Sequence, residues 1–390
     1  MNHRTVQQMI EKFARTFGSA DGLLCSRAPG RVNLLGEHTD YNGGFVLPMA
    51  VDREVRFFFR PVDAGPVRVW SENFGEWDEF DLDEISFNLG QPWANYVRGV
   101  ARALLDAGRP LKPFEAIVYG DAPLGAGLGS SAAIEVAAGL AFCAASAESL
   151  DRTALALLCQ KAENDFVGVN CGIMDQFVSL RARHERAVML DCRSLEFQLL
   201  PLDTAQVRVV VANTMVYHEL AASAYNQRRA TCEAAAAAIG RREEGVTQLR
   251  DVSSDLLEAC RDLLDEPAYR RARHVVTEDE RVCAGVAALQ AGDYPAFGEL
   301  MNASHESLDA DYEVSCEELN VMVEISRRQS GVLGARMTGA GFGGCTVNLV
   351  ERAEAGRFAD ALASGYRAAA GIEPELYEFG AVRGAEVGPL

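Results

Sequence analysis

The sequence predicts an α/β (α+β) protein built of both strands and helices. Three observations carry this. Short apolar, strand-like segments recur along the chain between longer segments whose apolar residues fall at helical spacing. A strand, a glycine-rich loop and a helix follow one another directly over 114–145. With 390 residues, 48% of them hydrophobic, the chain can fill the cores of two domains.

In the first segment, Val6, Met9, Ile10, Phe13 and Phe17 predict a helix over 5–17, with Gly18 placed as its C-cap. Residues 26–44 form the densest polar stretch: Arg31, Asn33, Glu37, His38, Asp40, Tyr41 and Asn42 lie within a dozen positions. Pro29, Gly30, Gly36, Gly43 and Gly44 interrupt it, which predicts shaped loops rather than a regular element. Singly, these side chains have ordinary uses, such as a surface ion pair or a satisfied histidine. Together, carboxylates, an imidazole and amides suit a polyhydroxylated ligand, whose hydroxyls both donate and accept. A sugar or polyol site on loops held by a rigid scaffold is the favoured reading.

Strands are expected over 45–60 and 67–70, the first of them central because Phe57, Phe58 and Phe59 follow Val55. A helix over 93–107 puts Tyr96, Val97, Val100, Leu104 and Leu105 on one face; Trp93 either fills the core or stacks on a base. Residues 114–119 alternate like a half-buried strand, and the alanine-rich 131–145 should be helical. Between them, Gly125, Gly127 and Gly129 permit positive φ and close approach of backbone N–H groups to a ligand. The helix N-terminus behind them favours an anion. Ser130 and Ser131 can cap that helix or reach a phosphate or Mg²⁺. The loop lacks the lysine of a Walker loop, and its third glycine comes one residue early for the dinucleotide fingerprint. By itself it reads equally as a tight connection.

Over 153–167 another helix is expected, with Glu163 off its apolar stripe and facing either solvent or a metal. Asp175, in an apolar stretch just past a glycine turn, is either a helix cap or a general base tuned by its surroundings. Strands follow over 187–191 and 207–212. Much of 218–276 reads as helical, with Tyr225, Arg228 and Arg229 on the first helix; further helices are expected over 282–290, 294–304 and 315–329. Residues 336–344 are a second glycine-rich loop, with a strand and no helix after it, which predicts a hairpin turn.

A net charge of −19 at pH 7 argues against nucleic-acid or anionic-membrane partners. Ten cysteines without a C-x-x-C pair indicate neither a zinc site nor a disulfide framework, and suit reduced thiols in a cytoplasmic protein. No apolar run is long enough to span a bilayer.

Three stretches together resemble the galactokinases of the GHMP kinase superfamily. Arg31-Val-Asn-Leu-Leu-Gly-Glu-His-Thr-Asp-Tyr-Asn42 is similar to the galactokinase sugar motif, and Pro123-Leu-Gly-Ala-Gly-Leu-Gly-Ser-Ser-Ala-Ala133 to the superfamily's ATP loop. Residues 336–345 resemble its third motif, and 171–177 and 301–305 also match the family pattern. One departure is Gly129, where many galactokinases carry a third serine. The resemblance implies a two-lobed GHMP kinase fold, with mixed sheets flanked by helices and the active site between the lobes, divided as 1–190 and 191–390. It implies transfer of the ATP γ-phosphate to the C1 hydroxyl of α-D-galactose, with Asp175 as base and Arg31 beside it. Carried over by position, Glu37, His38, Asp40, Gly172 and Tyr225 hold the sugar. Trp93, Pro123, Gly125, Gly127, Leu128, Gly129, Ser130, Ser131 and Ala132 hold ATP, and Ser131 and Glu163 contact Mg²⁺. A monomer acting on small molecules is expected. The alternatives are a kinase for arabinose or N-acetylgalactosamine, and a non-catalytic galactose and ATP sensor. Such sensors lack the Ser-Ala pair that is present here as Ser131-Ala132.

Overall fold

The computed structural model describes residues 3–121, 127–217 and 221–390. Helix α1 (His3–Phe17) lays Met9 and Phe13 against Phe58 and Ile117 on one face of a sheet. Strands β1 (Leu24–Asn33), β2 (Phe45–Val46), β3 (Pro48–Pro61), β4 (Val67–Ser71) and β5 (Glu76–Phe80) follow. After α2 (Ala94–Asp106), β6 (Phe114–Gly120) enters between β3, antiparallel, and β4, parallel. Helices α3 (Ser130–Ala145), α4 (Arg152–Lys161) and α5 (Met174–Arg181) pack with α2 on the other face. With both faces covered, Phe57, Phe58 and Phe59 of β3 are all fully buried, as a central strand requires.

Strands β7 (Arg186–Asp191) and β8 (Phe197–Pro201) extend β2 into a small antiparallel sheet. A second large sheet opens with β9 (Val207–Tyr217). Then come α6 (Ala221–Gly240), α7 (Ser254–Ala259), α8 (Glu266–Ala291), α9 (Tyr294–Ala310) and α10 (Glu317–Arg327). Strands β10 (Val332–Thr338) and β11 (Gly343–Glu351) form the expected hairpin, and α11 (Ala355–Ala370) and β12 (Glu375–Phe379) complete the sheet in the order β10-β11-β9-β12. The last strand, β13 (Glu386–Pro389), returns to the first sheet beside β1, giving β13-β1-β3-β6-β4-β5.

Several local expectations are corrected. Arg31 and Asn33 lie on β1 and not on a loop; the strand absorbs Pro29 and Gly30 through a register shift against β3. Residues 266–291 form one helix, with no break between 276 and 282. Strands β5, β8, β12 and β13 and helix α11 were not expected from periodicity. Among the described residues, no helix is long and apolar enough to cross a membrane, and all ten cysteines are unpaired.

Candidate active site

The N–H of Arg31 donates to Leu128 O at 2.9 Å, so the strand and the glycine loop touch main chain to main chain. A Cβ on Gly30 would lie 2.5 Å from that same carbonyl, which is why glycine precedes Arg31. From there the Arg31 Nε donates to Asp175 Oδ1 at 2.7 Å, and Nη2 donates to Oδ2. Nη1 donates to Gly127 O. This two-pronged pairing fixes the carboxylate in orientation as well as in charge. Asp175 stands in the first turn of α5, where the helix dipole favours an anion, and its side chain is 21% exposed.

Beside this pair lies the polar turn that follows β1. Glu37 is buried; it accepts from Arg336 and from the Gly339 N–H at 3.1 Å. Burial pushes its carboxyl above the usual range, against the pull of Arg336 and Arg31. His38 has φ of +67°, and its Nδ1 lies 2.8 Å from the Tyr41 hydroxyl. Burial holds the imidazole well below its ordinary pKa, so it is neutral at pH 7. Its Nε2 is buried with no hydrogen-bond partner among the described residues. Asp40 Oδ1 accepts from the Tyr41 N–H at 2.9 Å, while a Cβ on Gly172 would lie 1.9 Å from Oδ2. Burial first, then neighbouring Asp175, raise the Asp40 pKa to about 7. Tyr225 on α6 places its ring 5.7 Å from that of His38 and 5.4 Å from that of Tyr41.

Arg31, Glu37, His38, Asp40, Gly172, Asp175 and Tyr225 line one cavity of about 440 Å³, together with Gly127, Gly129, Ser130, Ser131 and Glu163. The N-terminus of α3 opens into it. The cap is Gly129, at φ +71°, which has no side chain to offer the first amides. Ser130 and Ser131 therefore stand inside the first turn and do not cap it. The first amides of a helix have no intrahelical partner, so this turn can donate to a ligand. A Cβ on Gly129 would come 3.1 Å from Arg31 Cγ and 3.5 Å from Asp175 Oδ2, so a bare backbone is needed there. Leu128 and Ala132 bury their side chains in the core, so only their main chain is available to a ligand. Pro123 and Gly125 lie outside the described residues.

Glu163 is turned away from solvent and toward the cavity. It is buried in a π-helical turn, Ala162–Val167, a local widening that turns the side chain inward. Its carboxylate accepts from Gln176 Nε2 at 2.7 Å and from the Cys171 thiol at 3.2 Å. Burial, seconded by Asp175, raises its pKa.

A second cavity, of about 610 Å³, shares Tyr96, Ser130 and Ser131 with the first and is lined by Phe74, Phe87, Trp93 and Ile134. The Trp93 Nε1–H donates to Glu76 Oε2 at 3.0 Å, and the indole is nearly parallel to the Phe74 ring, with centroids 6.2 Å apart. Trp93 thus both closes the core and walls the cavity. Arg336, Gln176 and Tyr96 belong to the site although periodicity singled out none of them for it. Arg336 and Gln176 did fall within matched stretches, 336–345 and 171–177, but neither was assigned a role there.

The galactokinase galactose-binding signature matches residues 11–61, the GHMP kinases N terminal domain matches 95–183, and the GHMP kinases C terminal domain matches 286–368. The chain is 45% identical to a galactokinase of Roseiflexus sp. (strain RS-1), over 95% of this chain and 94% of that protein. It is 46% identical to a Homo sapiens galactokinase, over 88% of this chain and 87% of that one. The crystal structure of Lactococcus lactis galactokinase complexed with galactose superimposes with a TM-score of 0.95 at 38% identity, covering 98% of this chain and 99% of that one. At 18% identity and a TM-score of 0.65, a Methanococcus jannaschii mevalonate kinase shares the fold. By sequence and by structure alike, the chain belongs to the galactokinase family of the GHMP kinases.

Proposed function

We propose that the chain transfers the γ-phosphate of ATP to the C1 hydroxyl of α-D-galactose, releasing galactose 1-phosphate and ADP. The carrying observation is the Arg31–Asp175 pair, which lies where a polar cavity meets the amide end of α3, with an aromatic cavity beyond. In this reading galactose occupies the polar cavity, with hydroxyls against Glu37, His38, Asp40 and Tyr225 and a ring edge over Gly172. The His38 Nε2, without a partner among the described residues, and the Asp40 carboxylate are polar groups a sugar hydroxyl can meet. Asp175 takes the C1 proton as the sugar oxygen bonds to the γ-phosphorus and the bond to the ADP oxygen breaks. Arg31 orients the Asp175 carboxyl and stabilises charge developing on the sugar oxygen.

The triphosphate rests on the backbone of the loop and first turn: Pro123, Gly125, Gly127, Leu128, Gly129, Ser130, Ser131 and Ala132. The adenine lies against Trp93. Ser131 and Glu163 fit a hard cation: a hydroxyl and a carboxylate line one cavity. Mg²⁺ typically takes only one or two protein ligands beside phosphates and water. Bound there, it would offset the phosphate charge. We further propose a division into domains 1–190 and 191–390, with β13 returned to the first sheet, and a cytoplasmic monomer.

Release of ADP by the purified chain is the test, with MgATP and galactose, glucose, arabinose or N-acetylgalactosamine in turn. Galactose should exceed glucose by about tenfold or more in kcat/KM, since an epimer leaves a buried polar group unpaired. Equal turnover of the two, or ADP release independent of any sugar, would overturn the reading.

A further inference from the structure

The turn carrying Glu37 and His38 is gripped from behind by a single helix, through contacts that the reaction above does not use. Gly36 and His38 both hold left-handed backbone, with φ of +88° and +67°. Such a conformation at a residue with a Cβ persists only where its surroundings enforce it. Helix α8 supplies the enforcement. Glu278, fully buried, accepts at Oε1 from the N–H of Gly36 at 2.9 Å and from that of Glu37 at 3.3 Å. Two consecutive amides converge on one oxygen, as they do around a bound anion. That oxygen also accepts from the Ser304 hydroxyl on α9 at 2.7 Å, and Oε2 accepts from Arg281 Nε at 2.6 Å. Burial opposes the charge, but Arg281, His274, Arg336 and the Ser304 hydroxyl together outweigh it, and the carboxyl pKa lies at about 2.

One turn earlier, His274 Nε2 is 3.1 Å from the Glu37 carbonyl. A carbonyl only accepts, so Nε2 carries the hydrogen and Nδ1 accepts from the Ser307 hydroxyl at 2.9 Å. Burial drops this imidazole to a pKa of about 4, so it is neutral at pH 7. Asp279, the residue after Glu278, accepts from the Phe45 N–H at 2.7 Å. Helix α8 therefore holds both ends of the 36–45 segment by its main chain, and none of the three side chains lines the cavity.

We propose that Glu278 is a positioning residue for the sugar: by fixing the Gly36 and Glu37 amides, it sets where Glu37 and His38 meet galactose. This rests on the assignment of the polar cavity to the sugar. The other cavity, walled by Trp93 and reached past Ser130 and Ser131, has no contact with the gripped turn. Sugar affinity and nucleotide affinity should therefore separate.

The test measures KM for galactose and for ATP, together with melting temperature, in the native chain, Glu278→Gln, Glu278→Ala and Leu289→Ala. Leu289 is a buried core residue about three turns along the same helix and serves as the control for stability alone. Galactose KM should rise about tenfold in Glu278→Ala and about threefold in Glu278→Gln, which keeps one acceptor oxygen, while ATP KM stays within about twofold. Leu289→Ala should melt earlier with both KM values native. If Glu278→Ala does not fold, the isosteric Glu278→Gln decides alone. A native galactose KM in the folded Glu278 variants overturns the proposal, as does a parallel rise of both KM values. Failure of the native chain to phosphorylate galactose would instead overturn the assignment on which it rests.

Discussion

Asp175 and Arg31 act as one unit, and the geometry predicts how they fail. Asp175→Asn keeps shape but removes the proton acceptor and the charge that the Arg31 fork grips. Its kcat should fall by roughly 10²–10⁴ while galactose still binds. Arg31→Lys keeps a charge but cannot span both carboxylate oxygens, so it too should lose rate. Combined with Asp175→Asn it should cost less than it does alone, because the charge it serves is gone. Steady-state kinetics on the two singles and the double checks this; strictly additive losses would contradict it. Asp40 adds a pH signature. With its pKa raised to about 7 by burial and then by Asp175, it is protonated below neutrality and stops accepting from a sugar hydroxyl. Galactose KM should therefore rise as pH falls through about 7. The stability effect has the opposite sign. A raised carboxyl binds more protons folded than unfolded, so its contribution is present at low pH and lost as pH rises toward 7. Asp40→Asn should flatten both profiles, measured as galactose KM and melting temperature against pH.

Among the elements, close main-chain approaches do most of the positioning. The turn before α5 meets the short helical turn at Asp40 so tightly that a Cβ on Gly172 would fall 1.9 Å from Asp40 Oδ2. The φ of Gly172 is not in the left-handed region, so Gly172→Ala is a purely steric probe. It should fold, push Asp40 aside and raise galactose KM by about tenfold or more, with ATP KM little changed. At the N-terminus of α3 the constraint is conformational. Gly127 holds φ of +72°, and a Cβ there would stand 3.4 Å from Thr338 O at the tip of the β10–β11 hairpin. Gly127→Val adds a branched Cβ that disfavours this backbone and occupies space by the phosphates. Titration of the folded variant with MgATP should show affinity lost; native affinity would contradict the phosphate-loop assignment.

Across the whole molecule, the site joins chain ends that are far apart in sequence. Arg336, fully buried on β10, bonds Glu37 and the carbonyl of Asn33, about 300 residues away. A buried ion pair adds little net stability, but removing one partner strands a charge and costs about 3–5 kcal/mol. Arg336→Met should therefore lower the melting temperature sharply and abolish sugar turnover. Adding Glu37→Gln should recover part of the stability and none of the activity. Thermal unfolding and the ADP assay on both variants check this; a double variant no more stable than the single would show that the stranded charge is not the cause.

What was legible from the sequence alone follows from local chemistry. Alternation and helical spacing located the larger elements, because burial of one face leaves its period in the chain. The polar cluster at 31–42, the three-glycine loop and the isolated Asp175 were visible because chemistry-bearing residues stood out against breakers or apolar neighbours. Other features depended on contacts between distant segments. Nothing near Glu163 in sequence says that a π-helical turn buries it against Gln176 and Ser131. The capping of α3 by Gly129 and not by a serine depends on Arg31 and Asp175 crowding that corner. Glu278 reads as an ordinary helical glutamate, since its partners are amides some 240 residues earlier. β13 is too short to show a period, and its place beside β1 is set by the edge that β1 leaves open. The chain's own pattern determined which residues could do chemistry; only tertiary packing, which alone sets distance and dielectric, decided which of them meet and in what charge state.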